Sequence, residues 1–428
     1  MSRLDVLNSD PDGCPESHSA ALEALPSKIS AAVPETLSDL MGQLPAEAYT
    51  SPQFLELERQ TVFSDHWVCV GLASDVAEPG DVMPVDLAGL PIVLVRDRQG
   101  TLRAFHNICS HRGIQLVTQP CEKQGLIRCP YHSWSYSLDG TLKSTPHFGG
   151  YYQDNYDGFD RSDKGLQPIR CEQWLDMVFV NLSGTASPLL DYLQPIIDRW
   201  STYDLSQLRR GQTVSFECQA NWKLALENFS ESYHLAWVHP SLNGYSRMED
   251  HFWFDLGPDL VAQGSLRYMS GEIDGRSLPK FPNLEAHDPR LEVPDRTTVA
   301  EYVSIFPNLM LGVHPDYFLI FMVNPLSPER TYERMTFYFV GDEAMKPEYE
   351  ALRQLPVDLW TETNHEDIGV IQRMQIGRRS PAFRGGYFSP ALERTVYQFQ
   401  QLVHRATHSF TQPTLAQAPF SSASPLSA

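Results

Sequence analysis

Two short arms of the chain each offer one thiol and one imidazole. Cys109 and His111 lie in CSHRG, Cys129 and His132 lie in CPYHSW, and seventeen residues separate the arms. A fold of this chain has to present both loops to one inorganic centre. The ligand types alone allow two such centres. A structural zinc takes four Cys and His in a closed tetrahedron. A [2Fe–2S] cluster of mixed ligation needs two Cys on one iron and two His on the other. Zinc modules usually pair like with like, as C-x-x-C with H-x-x-x-H. Here each arm mixes one Cys with one His, which tilts the reading towards the cluster.

The chain around these arms is long enough for two or three domains, at 428 residues. Its hydrophobic content of 42% and charged content of 20% are those of an ordinary globular protein. No apolar run approaches the roughly eighteen residues of a membrane span, and MSRLDVLNSDPDG lacks a basic-then-apolar export signal. A cytoplasmic protein with no membrane partner is expected. The formal charge of −20 argues against nucleic acid, because phosphate recognition needs a basic surface. Seven cysteines in so long a chain do not form a disulfide scaffold. Cys69, Cys171 and Cys218 sit in apolar contexts and read as small buried residues, and Cys121 has no assigned role.

Hydrophobic patterning divides the chain into four parts. Residues 1–48 read as a partly disordered extension with a short helix near 35–43, and 411–428 as a disordered tail. Residues 49–182 open with a Ser-capped helix over 50–63. Five short strands follow, in WVCVGLA, GLPIVLVRD, LRAFHNIC, WSYSLDGTL and MVFVNL. This is an all-β domain with the cluster arms at loop tips. Residues 183–410 alternate differently. Helices are expected near 188–200, 221–238, 343–377 and 389–409, around antiparallel strands in YVSIFPNLMLGV, YFLIFMVNPL and TYERMTFYFVG. The fold class is therefore α+β: an N-terminal all-β domain, then a domain whose antiparallel sheet carries helices on one side.

A second metal-binding pattern lies in NWKLALENFSESYHLAWVHP, residues 221–240. On one helix, Glu227, Glu231 and His234 share a face. His239 would lie about 140° away from His234 on an ideal helix. Pro240 resolves this, since the residue before a proline avoids helical geometry, and His239 can turn inward. Two His and one carboxylate form the facial triad of non-haem Fe(II), which leaves positions open for dioxygen. The carboxylate candidates are the neighbours Glu366 and Asp367 in TETNHEDIGVIQRMQIG, on a helix whose Ile368, Ile371 and Met374 face the core. Periodicity does not separate the two acids.

Taken together, CSHRG, CPYHSW and NWK…ENFSESYHLAWVHP resemble the catalytic (alpha) subunit of the Rieske non-haem iron oxygenases over about residues 50–410. The resemblance implies a Rieske [2Fe–2S] cluster on Cys109, His111, Cys129 and His132, and a mononuclear iron on His234, His239 and Asp367. It implies a head-to-tail homotrimer in which Glu231 links one subunit's cluster to the next subunit's iron, with Asn228 supporting the iron ligands. Electrons would come from NAD(P)H through a separate flavin/iron–sulfur reductase, since this chain carries neither a dinucleotide fingerprint nor a plant-type cluster motif. The Glu at 231, its short spacing to Tyr233-His234, and FPNLMLGVHPDYFLIFMVNPLSPERT are similar to the branch acting on choline, glycine betaine and carnitine. Hydroxylation or N-demethylation of a quaternary ammonium compound is thus expected. The alternatives are an aromatic-ring hydroxylase and a Rieske electron carrier without catalysis. Ser133 departs from the family, where Gly is common.

An aromatic cage for a quaternary ammonium ion would draw on Tyr245, Phe252, Trp253, Phe254, Tyr268, Phe306, Tyr317, Phe318 and Phe321, all of which could equally be core. Tyr233 and Trp237 read as core or pocket wall, and Glu227 as a surface charge or a site residue. His365 could tune the acidic pair. His106, His147 and His314 have no expected chemistry.

Overall fold

The computed structural model describes residues 44–244, 246–268, 271–284, 296–383 and 385–408. The helix expected near 35–43, the tail from 411 and Tyr245 lie outside the described residues.

Residues 68–181 form nine strands: β1 (Val68–Leu72), β2 (Val82–Leu87), β3 (Leu90–Arg96), β4 (Leu102–His106), β5 (Ile127–Arg128), β6 (Ser135–Tyr136), β7 (Leu142–Ser144), β8 (Pro168–Trp174) and β9 (Met177–Asn181). Six make an antiparallel sheet in the order β1-β9-β8-β4-β3-β2, and β5-β6-β7 make a small second sheet. The strands β2 and β8 lie outside the expected strand segments, and each contains a proline. Pro84 sits on the edge strand and Pro168 opens its strand, the two places where a missing N–H is tolerated. One Cys/His arm connects β4 of the larger sheet to β5 of the small one, and the other lies between β5 and β6 within the small sheet.

The remainder is built on a seven-stranded antiparallel sheet in the order β10-β18-β17-β16-β15-β12-β11. Its strands are β10 (Leu208–Cys218), β11 (His251–Trp253), β12 (Leu260–Ser265), β15 (Ala300–Ile305), β16 (Leu309–Val313), β17 (Tyr317–Ser327) and β18 (Arg330–Val340), with a short hairpin β13 (Glu272–Ile273) and β14 (Arg276–Ser277) aside. YVSIFPNLMLGV is two strands rather than one, folded back at Phe306-Pro307 into the β15–β16 hairpin.

Side chains alternate across this sheet. Tyr302, Phe321 and Phe337 lie in the core beneath the helices Trp222–Phe229, Glu350–Arg378 and Arg394–His408. Val303, Ile320 and Leu311 face the other way. The expectation of helices on one side therefore needs correction. The helix Leu189–Arg199 covers the second face, together with Trp67 and Phe179 from the β1–β9 end of the first sheet. The two later helices start at Glu350 and Arg394 rather than near 343 and 389, and 343–349 form two short 3-10 turns instead.

Below the site a buried ion pair joins the two halves. The Ser51 hydroxyl caps the helix Pro52–Gln60 by accepting from the N–H groups of Gln53 and Phe54. From that helix Glu58 accepts a bond from Lys223 Nζ at 2.5 Å and from Trp222 Nε1 at 3.1 Å, and both Glu58 and Lys223 are fully buried. This fixes the start of the helix Trp222–Phe229.

Candidate active site

The two arms adopt one shape. Cys109 N–H donates to Ile114 O and Gly113 N–H to Cys109 O; likewise Cys129 N–H donates to Trp134 O and Ser133 N–H to Cys129 O. Gly113 and Ser133 both have positive φ, 71° and 60°, so Ser133 occupies a conformation that suits glycine. The turns bury the Cys109 and Cys129 thiols and bring the rings of His111 and His132 to 4.8 Å between centroids. His111 stacks on Trp134, and its buried Nδ1 has no hydrogen-bond partner. Burial pushes the Cys109 thiol pKa up, with the neighbouring Cys129 adding to the effect, although Tyr136 opposes it by hydrogen bonding at 3.1 Å from the sulfur. Two crowded thiols beside a bare, buried imidazole nitrogen suit a cationic centre that accepts all four donors. The fully buried Tyr136, which also receives Ser110 N–H, is a feature that no spacing rule picks out.

The second constellation departs from a single helix over 221–238. The helix ends at Phe229, where Ser230 Oγ donates back to Leu226 O at 2.6 Å. Glu231 then caps the next turn: one carboxylate oxygen accepts from the N–H groups of Tyr233 and His234. A second short helix, Leu235–Val238, stops at His239, whose φ of −120° and ψ of 68° ahead of Pro240 are non-helical, as the proline requires. Glu227, Glu231 and His234 consequently do not share one face. Glu227 is buried on the far side, accepting from Tyr49 OH at 2.6 Å and Gln400 Nε2 at 3.0 Å, and is neither a surface charge nor part of the metal-binding group.

His234, His239 and Asp367 converge, with one potential ligand atom from each lying within 4.8 Å of the others. Each histidine is backed by a carboxylate. His234 Nδ1 is 2.5 Å from Glu231 Oε1, and His239 Nδ1 is 2.6 Å from Glu366 Oε2. Ionised carboxylates only accept, so with a cation bound both Nδ1 atoms would carry hydrogen and both Nε2 lone pairs would be free to meet it beside Asp367. The distances from Asp367 Oδ1 are 3.5 Å to His234 Nε2 and 2.9 Å to His239 Nε2. Three lone-pair donors turned on one another form a cradle for a cation. Burial opposes charge on His239, but the bonds and charges of Asp367 and Glu366 outweigh it and raise its pKa. Asn228 Nδ2 donates to Asp367 Oδ1 at 3.0 Å, steadying the carboxylate.

This cradle opens into a cavity lined by Phe229, Tyr268, Tyr302 and Trp360 together with Ser246, His251 and Gln263. Leu359, Trp360, Thr363 and Asp367 present one face of the long helix to it. Of the nine expected cage aromatics, Tyr268 lines this cavity. Tyr317 lies behind it, bonded to Tyr268 OH at 3.1 Å and Trp360 Nε1 at 2.8 Å, while Phe306 and Phe318 are core. Phe229, Tyr302, Trp360 and His251 go unpredicted because their nearness depends on pairing β11, β12 and β15 with distant helices. Burial drives the His251 pKa down to about 4, against a smaller opposing pull from Asp250, and keeps the ring neutral. His314 is buried between Tyr268, Tyr302 and Tyr317, so it belongs to the aromatic wall. His365 is exposed against the edge of Phe216, and Met374, expected in the core, is 38% exposed. Tyr233 and Trp237 are not core either: they are 45% and 79% exposed, beside Glu231 on the outer side of His234.

Residues 66–155 match the Rieske [2Fe-2S] domain, and residues 205–409 match the catalytic domain of the ring hydroxylating alpha subunit. The chain belongs to the Rieske non-haem iron oxygenases. This oxygenase is 29% identical over 410 residues to the glycine betaine monooxygenase oxygenase subunit of Chromohalobacter salexigens, covering 89% of this chain and 90% of that one. It is 26% identical to the carnitine monooxygenase oxygenase subunit of Acinetobacter pittii, over 86% and 92% of the two chains. In fold it is similar to a quaternary ammonium Rieske monooxygenase studied for carnitine oxidation and inter-subunit electron transfer (TM-score 0.70, 24% identity, 86% and 96% coverage). It is nearly as similar to naphthalene 1,2-dioxygenase from Rhodococcus sp. (TM-score 0.69, 20% identity, 89% and 98% coverage), so shape alone does not separate the substrates. The oxygenase combines a Rieske cluster with a non-haem iron centre, and no helix among its described residues is long and apolar enough to cross a membrane.

Proposed function

We propose that the oxygenase hydroxylates a small quaternary ammonium compound, with C–N cleavage where the attacked carbon is bound to nitrogen. The observation that carries this reading is a metal cradle opening onto an aromatic wall of Phe229, Tyr268, Tyr302 and Trp360. Aromatic faces attract a cation that cannot donate hydrogen bonds, by about 0.5–2 kcal/mol per ring. The glycine betaine and carnitine monooxygenase relatives support the same class.

In this reading Cys109, Cys129, His111 and His132 hold the [2Fe–2S] cluster, and His234, His239 and Asp367 hold the iron. When bound, the iron activates dioxygen with electrons that the cluster relays singly. The protein's own residues prepare the site. Glu231 and Glu366 set the tautomer and angle of the two imidazoles, and Asn228 restrains Asp367. The aromatic wall places the substrate and keeps water away from it. Glu231 also reaches towards the outer surface, where Tyr233 and Trp237 are exposed; on the cluster arms, Tyr131 and His132 are exposed as well. These two patches fit each other in a head-to-tail homotrimer, so that Glu231 lies on the electron route from a neighbouring cluster. A separate flavin/iron–sulfur reductase supplies the electrons from NAD(P)H, in the cytoplasm.

The test is oxygen uptake by the reconstituted enzyme with a reductase, over a panel of trimethylammonium and aromatic compounds. Oxygen consumption coupled to a hydroxylated or demethylated ammonium product is expected. A cis-diol or phenol from an aromatic compound, without turnover of the ammonium compounds, would overturn the reading in favour of an aromatic-ring hydroxylase. Mixing subunits that carry Cys109→Ser with subunits that carry Asp367→Ala tests the electron route. Activity returns in the mixed trimers only if electrons cross between subunits.

A further inference from the structure

Four oxidisable rings surround one imidazole at the back of the cavity. Phenol and indole rings are, with thiols, the side chains that lose an electron most readily. His314 stacks on Tyr317 at 4.0 Å between centroids and lies 4.6 Å from Tyr268, 5.5 Å from Tyr302 and 6.1 Å from Trp360. Tyr317 OH accepts from Tyr268 OH at 3.1 Å and from Trp360 Nε1 at 2.8 Å. Tyr302 and Trp360 meet directly at 6.0 Å, and with Tyr268 they line the cavity that contains His234, His239 and Asp367. An electron can therefore reach the cavity from Tyr317, behind the wall, through rings in contact.

Acid–base chemistry singles out Tyr302. A phenol that loses an electron becomes a strong acid, and a buried charge without a partner is costly. Such a phenol yields its electron only where its proton has somewhere to go. Tyr302 OH lies 3.3 Å from His314 Nε2. Of the two groups the phenol is the better donor and the imidazole nitrogen the better acceptor. The bond then runs from Tyr302 to Nε2, in the tautomer with the imidazole hydrogen on Nδ1. His314 is fully buried, and burial holds its pKa well below the usual histidine range, so the ring is neutral and able to take a proton. Its weak basicity also means that Tyr302 yields only to a strong oxidant. Burial first, with the negative charge of the 2% exposed Asp316 among the lesser causes, raises the pKa of Tyr268 and Tyr317. The same negative charge offsets a positive charge arriving in the cluster.

We propose that Tyr302 and His314 form a protective redox pair. An oxygenase makes a strong oxidant from dioxygen, and an oxidant that meets no substrate attacks the protein around it. Tyr302 reduces that oxidant by one electron, its O–H bond breaks, and the proton forms an N–H bond at His314 Nε2. The tyrosyl radical is shared with Tyr317, Tyr268 and Trp360 by transfer of an electron between the rings. An electron from the cluster later restores the phenol, and His314 returns the proton. The pair goes beyond the substrate reading and needs only an oxygen-activating iron held by His234, His239 and Asp367.

Hydrogen peroxide added to the oxidised holoenzyme supplies oxidising equivalents without a substrate or a reductase. Electron paramagnetic resonance of rapidly frozen samples then reads the outcome. The wild type is expected to show a tyrosyl radical, identified by narrowing of its signal in protein made with ring-deuterated tyrosine. Peptide mass mapping of the same wild-type protein is expected to find added oxygen on Tyr302 or Tyr317 before the peptides of His234 and His239 are modified. The signal is lost in Tyr302→Phe and falls several-fold in His314→Phe, while oxidation of the iron-ligand peptides rises in both. The visible spectrum of the cluster and the iron content, taken before mixing, report that each variant is folded and loaded. A wild type without a tyrosyl signal, or a signal that either substitution leaves unchanged, overturns the inference. So does a wild-type map in which the His234 and His239 peptides are oxidised first, a result that needs no variant to fold. Asp367→Ala, which lacks an iron ligand, is expected to give no signal. A full tyrosyl signal in that variant would place the oxidant elsewhere and remove the iron assignment and this inference together.

Discussion

Glu366 and Asp367 are adjacent in the chain and address opposite nitrogens of one ring. Glu366 Oε2 lies 2.6 Å from His239 Nδ1, and Asp367 Oδ1 lies 2.9 Å from His239 Nε2. One acid orients the imidazole, and the other shares whatever cation the imidazole binds. The division has a measurable consequence. Asp367→Ala removes a ligand and is expected to abolish iron retention. Glu366→Gln leaves all three ligands in place but weakens the orientation of His239, and iron affinity should fall by about 10–100-fold. Asn228→Ala releases Asp367 in the same way and should cost less than the loss of a ligand. Chelator competition on the three variants would check the order, and an Asp367→Ala protein that kept its iron would refute the assignment.

The sequence singled out candidate ligands more readily than the pocket, for a physical reason. Metal chemistry restricts residue type, so Cys109, His111, Cys129, His132, His234 and His239 stand out from their spacing and flanks alone. The proline rule placed His239 correctly at a helix end. The helix break at Ser230 was not legible, because the groups that cause it, Ser230 Oγ and the Glu231 carboxylate, look like ordinary helix-surface residues. Glu366 and Asp367 differ by one position on a helix, and only the placement of His239 separates their roles. The wall of the cavity was least legible. His251, Gln263, Tyr302 and Trp360 meet through long-range pairing of β12 with β15 and packing of the long helix, which no local period encodes.

Ser133 provides a stability test. It adopts φ 60° in the turn where the other arm has Gly113 at φ 71°. A side chain in this left-handed region costs about 1–2 kcal/mol. Glycine there relieves that strain but loses about 0.4–1 kcal/mol through the greater freedom of the unfolded chain. Ser133→Gly is therefore expected to stabilise the cluster domain by up to about 1 kcal/mol. Gly113→Ala, the reverse change on the other arm, is expected to destabilise it. Thermal bleaching of the cluster absorbance reads both, and a Ser133→Gly protein that bleached at lower temperature would contradict the strain argument.

The Lys223–Glu58 pair makes a sharper energetic claim. Both side chains are fully buried, and Trp222 Nε1 adds a bond to the same carboxylate. Removing one charge from such a pair costs roughly 3–5 kcal/mol, because the other is left uncompensated, whereas replacing both with apolar residues is often near neutral. Lys223→Met should therefore destabilise strongly, and Lys223→Met combined with Glu58→Leu should recover most of the loss. Denaturant unfolding of the wild type, the two single variants Lys223→Met and Glu58→Leu, and the double variant closes the cycle. If the double variant were as unstable as the single one, the pair would be contributing through geometry rather than through compensated charge.

Glu333 gives stability a pH dependence whose sign follows from its surroundings. It is 1% exposed on β18 and accepts from Asn364 Nδ2 at 2.9 Å, in a small cavity it shares with Asp367 and Asn228. Burial, together with the negative charge of Asp367, raises its pKa from 4.5 to about 7, although the Asn364 bond pulls the other way. Between these values the folded protein holds a proton that the unfolded chain has released. Stability is then fully present below about pH 4.5 and falls as pH rises towards 7. The loss amounts to at most about 3 kcal/mol. Bound iron would offset the Asp367 charge, so the effect belongs to protein stripped of the mononuclear metal. Unfolding of that protein from pH 5.5 to 8 should show a decline in the wild type and a flatter profile in Glu333→Gln, whose side chain keeps the acceptor and cannot ionise. Parallel profiles in the two proteins would mean that another group sets the slope.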